Sequence, residues 1–236
     1  MHGGAFLFGD LDMPEANWVG LALAARGVAV LSVEYRKAVG KNRFPVPSDD
    51  VLAAWNWANE HTELLGCSTD RLHLGGASAG GNLTAGVTKR CRDGAGPLPA
   101  SLVLIYPLVH APLPPISAEI GRAMAAKPGA MALSASDMHR INVQYAGSEQ
   151  RLTDPYAFAA NGELGGQPIC LILNAEADYL RASGEAYGGA LNAAGVPTEV
   201  LFEPGSAHGH LNEPFTPEAA RSIDRIVAWI ADPHRP

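Results

Sequence analysis

The segment Gly76-Ala77-Ser78-Ala79-Gly80 constrains the fold of this chain more than any other. It fits G-x-S-x-G, and a short apolar stretch, Leu72 to Leu74, leads into it. A helix-like run from Asn82 to Lys89 follows. Strand, sharp turn and helix in that order form a nucleophile elbow, which pushes the serine hydroxyl out at the end of a sheet. Glycine on either side of the serine suits a turn too tight for a Cβ. The motif alone is weak, because its fixed positions carry abundant residue types and an ordinary Gly-rich turn gives the same string. The argument therefore rests on what surrounds it.

Strand-like and helix-like segments alternate along the chain. Val28 to Tyr35 is a β-branched apolar run that reads as a buried strand. Asp49 or Asp50 is placed to cap a helix from Val51 to about Glu60, with Val51, Leu52, Trp55 and Ala58 on its apolar face. Further strands are expected at Arg71–Leu74, Ala100–Tyr106, Pro168–Asn174 and Thr198–Phe202. A helix is expected from Gly184 to Ala194, stopped at Gly195, and a last one from Thr216-Pro217, where proline takes its favoured first position. This alternation predicts a mostly parallel sheet with helices on both faces. The pattern breaks between Pro107 and Gln167, where prolines precede helices near Ser117–Ala126 and Ser136–Tyr145. The expectation is one domain over 1–236, with a small helical lid insertion at about 111–150 above the strand ends, where ligands of open α/β sheets bind.

A serine hydroxyl is a poor nucleophile at neutral pH and needs a base, which in turn needs an orienting acid. In elbow-bearing folds the chain order is serine, acid, histidine. Asp178 follows the strand at Pro168–Asn174, and His208 follows the strand at Thr198–Phe202. Both therefore fall at strand C-terminal ends, where loops converge on Ser78. Glu176 is a rival acid and His210 a rival base, each two residues away. His208-x-His210 is also half of a metal site, but no third ligand stands at a familiar spacing, so no metal and no cofactor are expected. At the start of the chain, His2-Gly3-Gly4-Ala5 resembles the loop that lends backbone N–H donors to an oxyanion hole, with Ala79 as the other donor.

The 236 residues carry a formal net charge of −7 with no basic cluster, which argues against nucleic acid as a partner. No apolar run reaches the length of a membrane span. Cys67, Cys91 and Cys170 are odd in number and scattered, so no disulfide framework is expected and the chain reads as a reduced, cytoplasmic protein.

Five separated blocks together resemble the hormone-sensitive-lipase-like branch of the α/β-hydrolases, which are carboxylic ester hydrolases. The blocks are HGGAF at His2–Phe6, the Tyr35-Arg36 pair with Phe44-Pro45 and Asp50, the run from Asp70 to Leu83, Glu176 to Arg181, and His208-Gly209. The resemblance implies the α/β-hydrolase fold, with Ser78 as nucleophile, Asp178 as acid and His208 as base. It implies oxyanion donors from Gly3, Gly4 and Ala5 together with Ala79, a small-molecule ester as substrate, and no cofactor. Phe6, Tyr179 and Leu180 flank the presumed active-site loops and are expected at the substrate pocket. Three departures stand out: Ala5 replaces a third glycine, Ala77 stands where many members carry aspartate, and Ala182 stands where the stretch after the acid often has another aspartate.

In that family several strands and a helical cap precede the HGG loop, whereas here only Met1 does. The expectation is an N-terminally shortened member with about five strands. Three outcomes are open for the position between Val28–Tyr35 and the elbow strand. The chain is a fragment with a misassigned start, the flanking strands close up into direct pairing, or a partner chain, as in a homo-oligomer, fills the gap or protects an exposed edge. The predicted function is hydrolysis of short-chain acyl esters, acetyl among them, through an acyl-enzyme. Deacetylation of N-acyl amides by the same machinery and ligand binding without turnover are the alternatives.

Overall fold

The computed structural model describes residues 1–127 and 134–232. Four strands, β1 (Leu74–Ala77), β2 (Leu102–Ile105), β3 (Cys170–Ala177) and β4 (Thr198–Ala207), form one sheet in the order β1-β2-β3-β4. All three pairings are parallel. The helices are α1 (Asn17–Ala24), α2 (Val46–Glu60), α3 (Thr62–Leu65), α4 (Ala79–Arg90), α5 (Ala118–Ala126), α6 (Ala135–Ala146), α7 (Arg181–Ala193) and α8 (Pro217–Ala231).

Alternation along the central strands divides the core. Leu102 and Leu104 of β2, with Cys170 and Ile172 of β3, pack with Val51 and Trp55 of α2, Leu83 and Val87 of α4, and Tyr187 and Leu191 of α7. Val103, Ile105, Leu171 and Leu173 point the other way, onto Leu23 of α1 and Ile223, Ile226 and Trp229 of α8. Strands buried on both faces need apolar residues at every position, which is why β2 and β3 read as continuous apolar runs.

Several boundaries differ from expectation for identifiable reasons. Helix α2 starts at Val46, five residues early, because Pro47 fits a first helical turn. The expected caps are employed elsewhere: Asp50 takes a bidentate bond from Arg36, and Asp49 pairs with Arg90. The last helix begins as expected, with the Thr216 side chain accepting from Ala219 N–H. The two helices of the insertion appear as α5 and α6, and α6 packs Tyr145 between Phe6, Phe44 and Phe158. Residues 128–133 of the expected lid lie outside the described residues.

The fifth strand is a correction. Val28–Tyr35 joins no ladder, and Val30 and Leu31 are exposed. A β-branched run becomes a strand only where a neighbour accepts its hydrogen bonds, and among the described residues none lies alongside. Nor do the flanking segments close up. Residues 28–33 and β1 face each other across a cleft of about 640 Å³, walled by Leu23, Trp55 and Ile226. Met1 bonds to β1 on that side. Its ammonium donates to Gly75 O at 2.8 Å and its carbonyl accepts from Ala77 N–H at 3.1 Å, the bond pair of a parallel ladder.

Candidate active site

Ser78, Asp178 and His208 sit directly after β1, β3 and β4, at the C-terminal edge of the sheet. Ser78 stands between β1 and α4 with φ 55° and ψ −116°, a strained conformation for a residue with a Cβ. Two glycines permit it by close approach. A Cβ on Gly76 would lie 2.3 Å from Gly80 O, and one on Gly80 would lie 2.4 Å from His2 O.

Ser78 Oγ is 3.0 Å from His208 Nε2, and His208 Nδ1 is 2.7 Å from Asp178 Oδ2. The other carboxylate oxygen, Oδ1, accepts from Leu180 N–H at 2.9 Å, which fixes the carboxylate plane. Burial pulls the His208 imidazole down, but the Asp178 carboxylate, by charge and hydrogen bond, and more weakly Glu15 hold it above the ordinary histidine value. This arrangement can take a proton from the serine and hold the resulting imidazolium.

The rivals bond elsewhere. Glu176 Oε2 accepts from Gly205 N–H at 2.7 Å. His210 Nε2 is 2.7 Å from Ser222 Oγ, and burial lowers its pKa to about 4. Among the described residues no group of three His, Cys, Asp or Glu is placed to hold a metal ion, and no helix is long and apolar enough to cross a membrane.

The glycine loop lies against the elbow, and Tyr35 fixes it by donating its hydroxyl to Gly3 O at 2.8 Å and His2 O at 3.0 Å. Among the described residues no acceptor takes the amides of Gly4, Ala5 and Ala79. The Gly3 amide differs from expectation: it donates to Glu15 Oε2 at 2.5 Å and is not free for a ligand. Ala5 and Phe6 have φ of 53° and 64°, left-handed values that cost a residue with a Cβ roughly 1 kcal/mol. Ala5→Gly is therefore expected to stabilise the fold by about 0.5–1 kcal/mol, measured as a higher midpoint in urea at unchanged slope. An unchanged or lower midpoint would mean that the loop relaxes around alanine.

Of the three side chains expected at the pocket, Phe6 is fully buried and stacks on Tyr145 with ring centroids 3.8 Å apart. Leu180 is likewise part of the core. Both side chains are buried, and of the three Tyr179 alone keeps solvent access. Sequence reasoning missed Glu15 and Tyr106, whose hydroxyl donates to Glu15 Oε1 at 2.6 Å while its ring edge meets His208. The signal for Tyr106 was its place at the end of a buried strand; Glu15 carried none.

A family profile described as alpha/beta hydrolase fold matches residues 1–212. Carboxylesterase NlhH of Mycobacterium tuberculosis is 31% identical over 230 residues, covering 96% of this chain and 70% of that protein. An acetyl-hydrolase of Streptomyces hygroscopicus is 31% identical over 232 residues, covering 98% of this chain and 73% of that one. The structure of a hyperthermophilic esterase from Pyrobaculum calidifontis superposes with a TM-score of 0.85 at 31% identity, covering 97% of this chain and 72% of that one. With residues 1–212 inside one profile and NlhH matched along its greater part, the chain belongs to the α/β-hydrolase family, among its hormone-sensitive-lipase-like carboxylesterases.

Proposed function

We propose that the chain hydrolyses short-chain acyl esters, acetyl esters foremost, through Ser78, His208 and Asp178. The observation that carries this is the unbroken relay from Ser78 Oγ through His208 to Asp178, at 3.0 and 2.7 Å. Ser78 Oγ attacks the ester carbonyl while His208 Nε2 takes its proton. Asp178 holds the imidazolium that forms. The tetrahedral oxyanion accepts from the Gly4, Ala5 and Ala79 amides. Collapse expels the alcohol, which takes the proton from His208 and leaves an acyl-serine. Water then attacks that ester with His208 as base, releasing the acid and free Ser78. Support for the acetyl group comes from the relative named acetyl-hydrolase. The relay is indifferent to acyl length.

The test is hydrolysis of p-nitrophenyl acetate beside longer acyl esters and the matched p-nitroacetanilide. The expected result is saturable turnover, fastest for acetyl, with the anilide far slower. An anilide rate equal to the ester's would instead favour an N-acyl amide substrate, and ligand binding without turnover would make the site a non-catalytic one.

The pH profile separates the two histidines. The base must be neutral to accept the serine proton, and His208 is held above the ordinary value of 6.5. The acid limb of kcat/KM is therefore expected above pH 6.5, with activity falling tenfold per unit below it. A limb near pH 4 would instead put the proton on His210.

A further inference from the structure

We infer that Glu15 is a positioning residue, one buried carboxylate that ties the glycine loop to the segment carrying His208. This rests on the triad reading above and extends it to a group outside the triad.

Glu15 is 6% exposed and lies just before α1, far in sequence from every other part of the site. Its carboxylate accepts from three chain segments. Oε2 takes the Gly3 amide at 2.5 Å. Oε1 takes the Tyr106 hydroxyl at 2.6 Å and Asn212 Nδ2 at 3.2 Å. Glu15 N–H in turn donates to Asn212 Oδ1 at 3.2 Å, so Glu15 and Asn212 clasp each other reciprocally. Asn212 stands four residues after His208, in the turn that follows β4. The Tyr106 ring lies edge-on to His208, with centroids 4.9 Å apart. Even the approach is specific: a Cβ on Gly3 would sit 2.6 Å from Glu15 Oε2 and 3.0 Å from Ser78 Cβ.

The three donors to this buried carboxylate, the Gly3 amide, the Tyr106 hydroxyl and Asn212 Nδ2, all belong to segments that frame the site. Fixing the Gly3 amide orients the peptide groups that follow, those of Gly4 and Ala5. Fixing Tyr106 and Asn212 limits the swing of the His208 ring. By charge Glu15 also helps to raise the His208 pKa, more weakly than Asp178 does. The other titratable groups around that ring are Asp178, which bonds it, and His210, which shares the Tyr106 ring. A glutamine at position 15 keeps the shape, presents a donor to donors and removes the charge.

The experiment compares Glu15→Gln, Tyr106→Phe and wild type on p-nitrophenyl acetate, with the Gly3 amide proton followed by NMR. For Glu15→Gln, kcat is expected to fall about 10- to 100-fold with KM within about twofold. Its acid limb is expected to move to lower pH, because the imidazolium loses the Glu15 charge that helps to hold its pKa up. Tyr106→Phe keeps the charge, so its limb stays in place while kcat falls less. The Gly3 amide resonance is expected to move upfield in Glu15→Gln. That readout needs no activity, so it separates this inference from the serine mechanism, which the Ser78→Ala variant tests by itself. Folded Glu15→Gln with wild-type kcat and an unmoved limb overturns the inference, as does an unmoved Gly3 resonance. If Glu15→Gln does not fold, Tyr106→Phe and Asn212→Ala carry the test. Each is expected to lower kcat about 3- to 10-fold at constant KM, and unchanged kcat in both overturns the inference.

Discussion

Ser78→Ala is expected to lower kcat for acetyl ester hydrolysis by at least about 10⁴-fold while leaving the fold intact. The size of the effect follows from the relay. Without Oγ there is nothing for His208 to deprotonate, and the acyl-enzyme route closes. The fold survives because, among the described residues, Oγ bonds only the His208 imidazole. Alanine also keeps the compact Cβ that the elbow already accommodates at φ 55°. Binding of substrate depends on surfaces that the change does not touch, so KM is expected to move little. The rate that remains would come from the backbone amides and from substrate binding alone. Steady-state kinetics, with a fluorophosphonate labelling count for wild type and variant, checks this. Wild-type turnover by Ser78→Ala, or undiminished labelling, would mean that another nucleophile carries the reaction.

Asp178→Asn is expected to cost on the order of 10⁴-fold in kcat, although it removes a single charge and almost no volume. Asp178 Oδ2 accepts from the protonated Nδ1 of His208, which leaves Nε2 free to receive the Ser78 proton. Asparagine can offer an N–H at that place, and the imidazole then answers with the opposite tautomer. Its proton faces Ser78, and the serine has no base. The Leu180 amide that holds Oδ1 keeps the side chain in position, so the loss is one of tautomer rather than of geometry. The companion variant is Glu176→Gln. Because Glu176 serves the Gly205 amide, its turnover is expected within about twofold of wild type. If Glu176→Gln were the crippled variant and Asp178→Asn the active one, the acid would have been assigned to the wrong carboxylate.

The candidate triad could be picked out of the chain because each of its members is announced locally. A strand ends, a loop begins, and a reactive side chain stands at the join; Asp178 and His208 both follow that rule. Glycines with a steric reason, Gly76 and Gly80, are also visible as a motif. What local pattern does not hold is neighbourhood. Val28–Tyr35 has the composition of a strand, yet strand formation is decided by what lies alongside, and its neighbour there is a cleft. Asp49 and Asp50 stand where a helix cap would, but Arg90 and Arg36, distant in sequence, claim both. The aromatic Phe6 looked like a pocket wall until α6 brought Tyr145 against it. Glu15 is the extreme case. Every partner of its carboxylate lies 12 or more residues away, so nothing within its own stretch of sequence marks it.

The contact at Gly80 has a bearing on how this enzyme can change. Backbone meets backbone there: the site of an absent Cβ is 2.4 Å from His2 O and 2.5 Å from Met1 O. No side chain mediates the spacing between the glycine loop and the first turn of α4, and so there is none to lengthen, shorten or repack. Mutation normally explores distances in steps of a methylene. At this seam the smallest available step is already a collision, which closes gradual adjustment of the proposed oxyanion hole. Variation that alters substrate preference while sparing turnover is thereby diverted to the half-exposed positions farther out, such as Tyr179, leaving the machinery itself a fixed inheritance.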